Sequence, residues 1–208
     1  MKRMAAAGKV CTGFAKPYVA LYSNASATPA YSGGMQLARG VDVSIEPEVG
    51  DANPFYADNV EAETVPGTFT GGKVTLTVDG LLDEAEKLIF GLPEPEELTY
   101  DTDKTAQVTT YGDNMQIPYM GLGFIVRYMS DGVESYSPVM LTKVRFQTPT
   151  QAAATQEDQI DWQTQELTAD LMRDDSANHA WKKVAADVST EAEAEAILKA
   201  MLNITEGP

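Results

Sequence analysis

Residues 68–93 read TFTGGKVTLTVDGLLDEAEKLIFGLP. From Lys73 to Asp79 the side chains alternate, Val74, Leu76 and Val78 against Lys73, Thr75 and Thr77. That is the period-2 pattern of a half-buried strand. Asp79 then offers a helix N-cap, and Leu81, Leu82, Ala85, Leu88 and Ile89 recur at helical spacing as the apolar stripe of a short helix. Gly91 suits the left-handed residue that follows a helix, and Pro93 prevents continuation. A helix this short is not stable alone, so its stripe is expected to lie on a sheet. Burial of Leu88 or Ile89 there contributes roughly 1.5–3 kcal/mol each.

The rest of the chain supplies that sheet. Upstream, Tyr18–Ser23 reads as a strand, Asn24–Met35 as a Ser/Ala/Gly/Pro loop, and Leu37–Glu46 as a second alternating strand. In that strand Val41, Val43 and Ile45 face one way, and Asp42, Ser44 and Glu46 form an acidic, wet face. Pro47 to Pro54 reads as a polar loop. Downstream, Glu94–Glu97 is an acidic linker and a strand is expected around Ala106–Tyr111. A hairpin follows, Tyr119–Met129 and Glu134–Phe146 around Asp131-Gly132. Gly121 and Gly123 point to a close backbone approach or a bulge, and Pro138 to an edge or a bulge. Thr148–Asp158 is a polar loop long enough to serve a function or a neighbour.

Ile160–Arg173 alternates again, with Trp162, Thr164, Glu166, Thr168 and Asp170 on one face and Leu167, Ala169 and Leu171 on the other. Asp174–Ser176 turns the chain. A last helix spans about residues 190–203, with a Thr190/Glu193 capping box and a stripe of Ile197, Leu198, Met201 and Leu202. The pattern gives one domain over residues 1–208, with a mobile arm at about 1–8. Its class is mainly β, a β-sandwich or barrel with one flanking helix and a C-terminal helix.

At 208 residues the chain buries a real core. Its formal charge of −16 disfavours nucleic-acid binding, since phosphates require neutralisation by Lys and Arg. Cys11 is the only cysteine, so an intrachain disulfide and a multi-thiolate metal site are both excluded, and folding in a reducing cytoplasm is expected. Lys9 and Lys16 interrupt the N-terminal apolar run, leaving too short a segment for an export signal. No stretch approaches transmembrane length, so no membrane is expected as a partner.

Catalytic patterns are weak throughout. The lone histidine, His179, lies in the polar segment SANHAWKK, and no serine sits in a G-x-S-x-G elbow. Asp101 and Asp103 begin like a calcium loop, yet Ala106 stands at the required glycine and Gly112 at the ligating glutamate. Gly121 and Gly123 begin a dinucleotide-type pattern that Val126 breaks. Carboxylate pairs such as Asp174–Asp175 and Glu61–Glu63 arise freely in an acidic chain. Neither an enzyme nor a cofactor is expected.

The stretches VDVSIEPEV, FYADNVEAE, TFTGGKVTLTVDGL, YSPVMLTKVRF, IDWQTQELTADLMRDD and STEAEAEAILKAML, in this order and spacing, resemble the major tail (tail tube) protein family of long-tailed siphophages. The resemblance runs from about Gly8 to Asn203. It implies a β-sandwich virion subunit that is made in the host bacterial cytoplasm and forms six-membered rings stacked into a tube. It also implies a tape measure protein and tail terminator or tail tip proteins as partners, with DNA passing through the tube without specific binding. On that reading the lumen-facing candidates are Asp42, Ser44, Glu46, Glu166, Thr168 and Asp170, and the Lys73, Thr75, Thr77 face is a weaker one because its lysine attracts phosphate. A non-catalytic β-sandwich binding module or adhesin is the alternative, for which aromatic residues clustered on exposed loops are expected.

Overall fold

The computed structural model describes residues 8–25, 28–150 and 163–205. In chain order its first strands are β1 (Val10–Ser23), β2 (Ala30–Gln36), β3 (Gly40–Val49), β4 (Asn53–Ala57), β5 (Val60–Val65) and β6 (Phe69–Val78), followed by helix α1 (Asp83–Phe90). Then come β7 (Glu96–Asp101), β8 (Lys104–Val108), β9 (Met120–Ser130), β10 (Val133–Phe146), β11 (Gln165–Met172), β12 (Lys182–Val184) and helix α2 (Glu191–Met201). The protein is mainly β with one flanking and one C-terminal helix.

Strand β6 behaves as its alternation requires: Val74, Leu76 and Val78 are fully buried. It lies between β3 and β11, and the main sheet runs β2-β1-β9-β10-β11-β6-β3, with β12 paired to β10 beside β11. Neighbouring strands pair antiparallel. The sheet curls until β3 comes back alongside β1, although the two share no ladder. The result is a barrel left open along one seam.

Its inside holds the main core, to which β6, β9, β10 and β11 contribute Leu76, Leu122, Leu141 and Leu171, and α1 adds Ala85, Ile89 and Phe90. The helix starts later than its sequence suggests. Its N-cap is Leu82, which has no side chain able to cap. Asp79 instead accepts from the Arg39 backbone N–H at 3.1 Å and pairs with the Arg39 guanidinium at 2.5 Å. Asp83, Glu84 and Glu86 in the first turn offset the helix dipole in its place. This later start rotates the expected stripe. Ala85 and Ile89 are buried, Leu81 and Leu88 pack on the core from its margin, Leu82 is 55% exposed, and Phe90 takes the inward position. Gly91 ends the helix at φ 58°, as its position implies.

A second, smaller core lies outside the barrel, where α2 covers β1, β9 and β10. Ala194, Leu198 and Leu202 meet Tyr18, Ala20, Ile125 and Met140 there. Gly121 and Gly123 make this contact possible. A Cβ at Gly123 would sit 2.6 Å from Leu198 Cδ1, and one at Gly121 would sit 2.7 Å from the Tyr31 ring. Thr190 caps the helix by accepting from the Glu193 N–H at 3.3 Å.

Several expected boundaries move. β1 begins at Val10, and the second of its two register shifts against β9, between Ala15 and Tyr18, absorbs the Lys16-Pro17 interruption. The expected loop at 24–35 contains most of β2, whose Gly33 takes φ 59°. Pro47 lies inside β3 opposite Gly72, so the expected loop over 47–54 shrinks to a few residues. Val41, expected inward, is 54% exposed because the ladder shifts between Gly40 and Asp42 and leaves it as a bulge. Pro138 lies within β10 opposite Ile125, and its carbonyl accepts from the Ala185 N–H just past β12. The missing Pro138 donor therefore faces the end of β12, where the ladder stops anyway. Residues 151–162, which include Trp162 and most of the expected polar loop, and the arm at 1–7 lie outside the described residues.

Candidate functional site

Register brings the sequence-derived polar residues together. Asp42 on β3 stands opposite Thr77 on β6, and Thr77 stands opposite Glu166 on β11. Ser44, Thr75 and Thr168 form the next rung, and Glu46, Lys73 and Asp170 the third. The third rung continues to Arg145 on β10, which pairs with Asp170. The three strand faces that look separate in sequence are thus one surface, and the Lys73 face is its middle column. Alternation places it on the outside of the barrel, since Val74, Leu76, Leu167 and Ala169 between its members are buried.

Charge on this surface is ordered across the strands. The third rung reads Glu46, Lys73, Asp170, Arg145, so opposite charges neighbour each other in a pattern contributing about 0.2–1 kcal/mol per pair. Gln147 Nε2 donates to Asp170 Oδ1 at 2.9 Å and extends the polar strip. Four carboxylates stand against Lys73 and Arg145, so the face is acidic on balance while no cation stands apart from a carboxylate strand. Asp42, Ser44, Glu46, Glu166, Lys73 and Asp170 are exposed, and Thr75, Thr77 and Thr168 half-buried.

The other half of the outer surface is closed by α2 and latched by one ionic cluster. Glu195 accepts from Tyr18 Oη at 2.6 Å, pairs with Lys199 at 3.0 Å, and also pairs with Lys16. Lys16 reaches it from a backbone position with φ 53°, at the irregular stretch of β1. Burial alone would raise the Glu195 carboxyl, but the bonds from Lys16, Tyr18 and Lys199 outweigh it and hold the group at about 2. A second network ties the 173–181 loop to the barrel. Asp175 accepts from Tyr22 Oη at 2.6 Å and from Lys143 Nζ at 2.8 Å. Desolvation first, then the bond to Asp175, pushes the Tyr22 hydroxyl up to about 12.

Two hairpins project from the barrel with no core of their own. β4 and β5 pair around Asp58 and Asn59, both at positive φ, the two-residue turn that matches strand twist. Every residue of the two strands is exposed, with Phe55 at 63% and Tyr56 at 61%. β7 and β8 repeat the arrangement, with all residues exposed and Tyr100 at 64%. Sequence reasoning located FYADNVEAE without recognising a hairpin in it, although the Asp58-Asn59 pair carries that signal. Exposed aromatics therefore do cluster on projecting elements, whereas Tyr31 is buried in β2 and Trp181 stacks on Phe69 at 5.0 Å.

Asp174 is buried, and its Oδ1 accepts from Ser176 N and Oγ at 3.1 and 2.5 Å. Its Oδ2 is buried without a hydrogen-bond partner among the described residues. Asp175 is engaged by different donors, Tyr22 and Lys143. Asp101 and Asp103 belong to the β7–β8 turn, where Asp101 pairs with Lys104 at 2.9 Å. Among the described residues no three His, Cys, Asp or Glu side chains are grouped to hold a metal ion, and no helix is long and apolar enough to cross a membrane. No protein-family model matches the chain, and no curated protein matches it in sequence.

Proposed function

We propose that this chain is a structural, self-assembling subunit of a phage tail tube, in which rings of six copies stack into the conduit for DNA. The observation that carries the reading is the pair of projecting hairpins. A two-stranded hairpin is marginally stable in water unless something packs on it. β4–β5 and β7–β8 present Phe55, Tyr56, Leu98 and Tyr100 to solvent, and a neighbouring copy would cover them. Arms of this kind, contacting a different part of the next copy, produce open-ended stacking.

The rung surface on β3, β6 and β11 supports the same reading and is the proposed lumen wall. DNA that slides through a tube must not adhere, and here carboxylates and threonines outnumber the two cations, each of which sits in a rung beside acids. Repeated around a ring, such a face screens over about 8 Å at physiological salt and repels phosphate close to the wall. Virion location, tape measure and tail terminator or tip partners follow from the tail reading and rest on the family resemblance. No catalytic role is proposed.

One observation favours a second reading, a non-catalytic binding module. Phe55, Tyr56 and Tyr100 are exposed aromatics on arms, which is also how a carbohydrate-binding surface is built. Negative-stain electron microscopy and sedimentation of the concentrated protein separate the two. Rings or tubes are expected. Monodisperse monomers at every concentration would overturn the tail reading in favour of the binding module.

A further inference from the structure

Strands β11 and β12 share one lane beside β10. Lys143–Phe146 pairs with β11 and Val139–Leu141 with β12, both antiparallel. Thr142 stands between the two stretches, where the chain leaves the lane as the 173–181 loop and returns to it. Its N–H donates to Trp181 O at 3.1 Å, and its Oγ1 donates to Ala180 O at 2.7 Å. Ala180 O also accepts from the Asp174 N–H at 2.7 Å, and Thr142 O accepts from Tyr31 Oη at 2.9 Å. Tyr31, Thr142 and Asp174 are all buried, so the loop meets the barrel through a polar cluster removed from solvent.

Asp174 is the member that this cluster leaves incomplete. It is 1% exposed, Ser176 supplies both donors to its Oδ1, and its Oδ2 has none. Among the described residues, Oδ2 is the one buried side-chain nitrogen or oxygen in that condition. None of their ion pairs includes Asp174. Lys143 is committed to Asp175 at 2.8 Å and lies over the rings of Tyr22 and Tyr119. A buried carboxylate without an opposite charge carries a large desolvation penalty. A water molecule can supply the missing hydrogen bond, but it does not supply the missing charge.

We infer that Asp174 Oδ2 binds a monovalent metal cation, sodium or potassium, which fastens the 173–181 loop to the barrel. The inference concerns the single chain and stands apart from the tail reading.

Charge selects the valence. One carboxylate balances one positive charge, and among the described residues no three His, Cys, Asp or Glu side chains are grouped as a zinc or calcium site requires. The remaining ligands of a sodium or potassium ion are neutral oxygens. The cluster is built of these, the hydroxyls of Tyr31 and Thr142 and the carbonyls of Thr142 and Ala180. Desolvation first, then the charge of Asp174, pushes the Tyr31 hydroxyl up, so the two groups share one electrostatic neighbourhood.

The test compares ions at one pH and one ionic strength, because a chain with a formal charge of −16 responds to any salt. Full-length protein is melted in sodium, potassium and tetramethylammonium chloride. The expected midpoint is a few degrees higher in sodium or potassium than in tetramethylammonium, rising with ion concentration and then levelling off. Asp174→Asn should abolish that difference. Asp113→Asn, which removes one charge from an exposed position, should keep it. Hydrogen exchange of the parent reads the location without any variant. Peptides covering 173–181 should exchange several-fold more slowly in sodium or potassium than in tetramethylammonium, and the β4–β5 hairpin should exchange equally in all three. Equal midpoints in the three salts, or slowing spread evenly over the chain, would overturn the assignment. So would an ion difference that persists in folded Asp174→Asn protein. If that variant does not fold, the exchange pattern of the parent decides.

Discussion

Hairpins β9–β10 and β4–β5 are built by the same local rules and end in opposite surroundings. Each turns through two residues at positive φ, Asp131-Gly132 in one and Asp58-Asn59 in the other. Each pairs antiparallel through most of its length. Yet β9–β10 is the centre of the molecule, with β1 on one flank, β11 and β12 on the other, the main core inside and α2 outside. β4–β5 is exposed from end to end. Turn chemistry and alternation decide that a hairpin forms; the surface available to it decides whether it becomes core. The composition of the strands carries that second message. Met120–Ile125 has apolar residues or glycine at every position and is buried on both faces, whereas Phe55, Tyr56, Val60 and Val65 are separated by Asp58, Glu61 and Glu63.

The strongest way to break the comparison is to charge the inside of the barrel. Ile89 is fully buried on α1 against the main core. Ile89→Asp forfeits its burial and leaves a carboxylate without a partner, a cost of at least about 4 kcal/mol. The expected outcome is insoluble protein or a chain lacking a cooperative thermal transition. Leu88→Asp, at the margin of the core, should cost less, and Leu82→Asp, on an exposed residue, should melt like the parent. Equal effects from all three would show that α1 does not present the face described.

This ranking also marks what the sequence makes legible. The 73–78 alternation, the Asp131-Gly132 turn and the Thr190 cap are strong local signals, and each stands where its pattern puts it. Leu82 fails because Asp79 is taken up by Arg39, a residue 40 positions away, so the helix begins later and its stripe turns. Val41 fails because a bulge in the β3–β6 ladder has no signature in a strand that otherwise alternates. β2 is missed because Gly33 and Gly34 hide its pairing. At the rung surface each strand's polar face could be read alone. That β3, β6 and β11 are adjacent and in register is a property of topology, so Lys73 was separable in sequence from the acids that flank it.

An intermediate effect is expected at the α2 latch. The folded-state pKa of Glu195 lies at about 2, below its ordinary value of 4.5. A depressed carboxyl contributes stability that is fully present above the unfolded value and is lost as pH falls through the folded one. Urea midpoints measured from pH 6 to pH 2 should therefore decline, with the latch's share lost between about 4.5 and 2. Glu195→Gln should be less stable than the parent at pH 7 by on the order of 1–2 kcal/mol, allowing for solvent screening, and should show a shallower decline. Parallel curves for parent and variant would mean that α2 is held by its apolar contacts alone.

The smallest effect sharpens the comparison from the other side. Phe55 and Tyr56 remain largely in water, so neither contributes appreciable burial to the single chain. Replacing both with serine removes apolar area that folding never covered, and surface changes away from caps and networks usually stay within about 0.5 kcal/mol. Any loss should be confined to the hairpin, whose Asp58-Asn59 turn and Gly50–Thr68 tie remain. The thermal midpoint of dilute, monomeric Phe55→Ser/Tyr56→Ser protein should match the parent, and concentrated samples should lose rings or tubes if this arm makes a contact between copies. A lowered midpoint in the dilute monomer would show that the hairpin folds back on its own barrel, and the contrast with β9–β10 would then be one of degree.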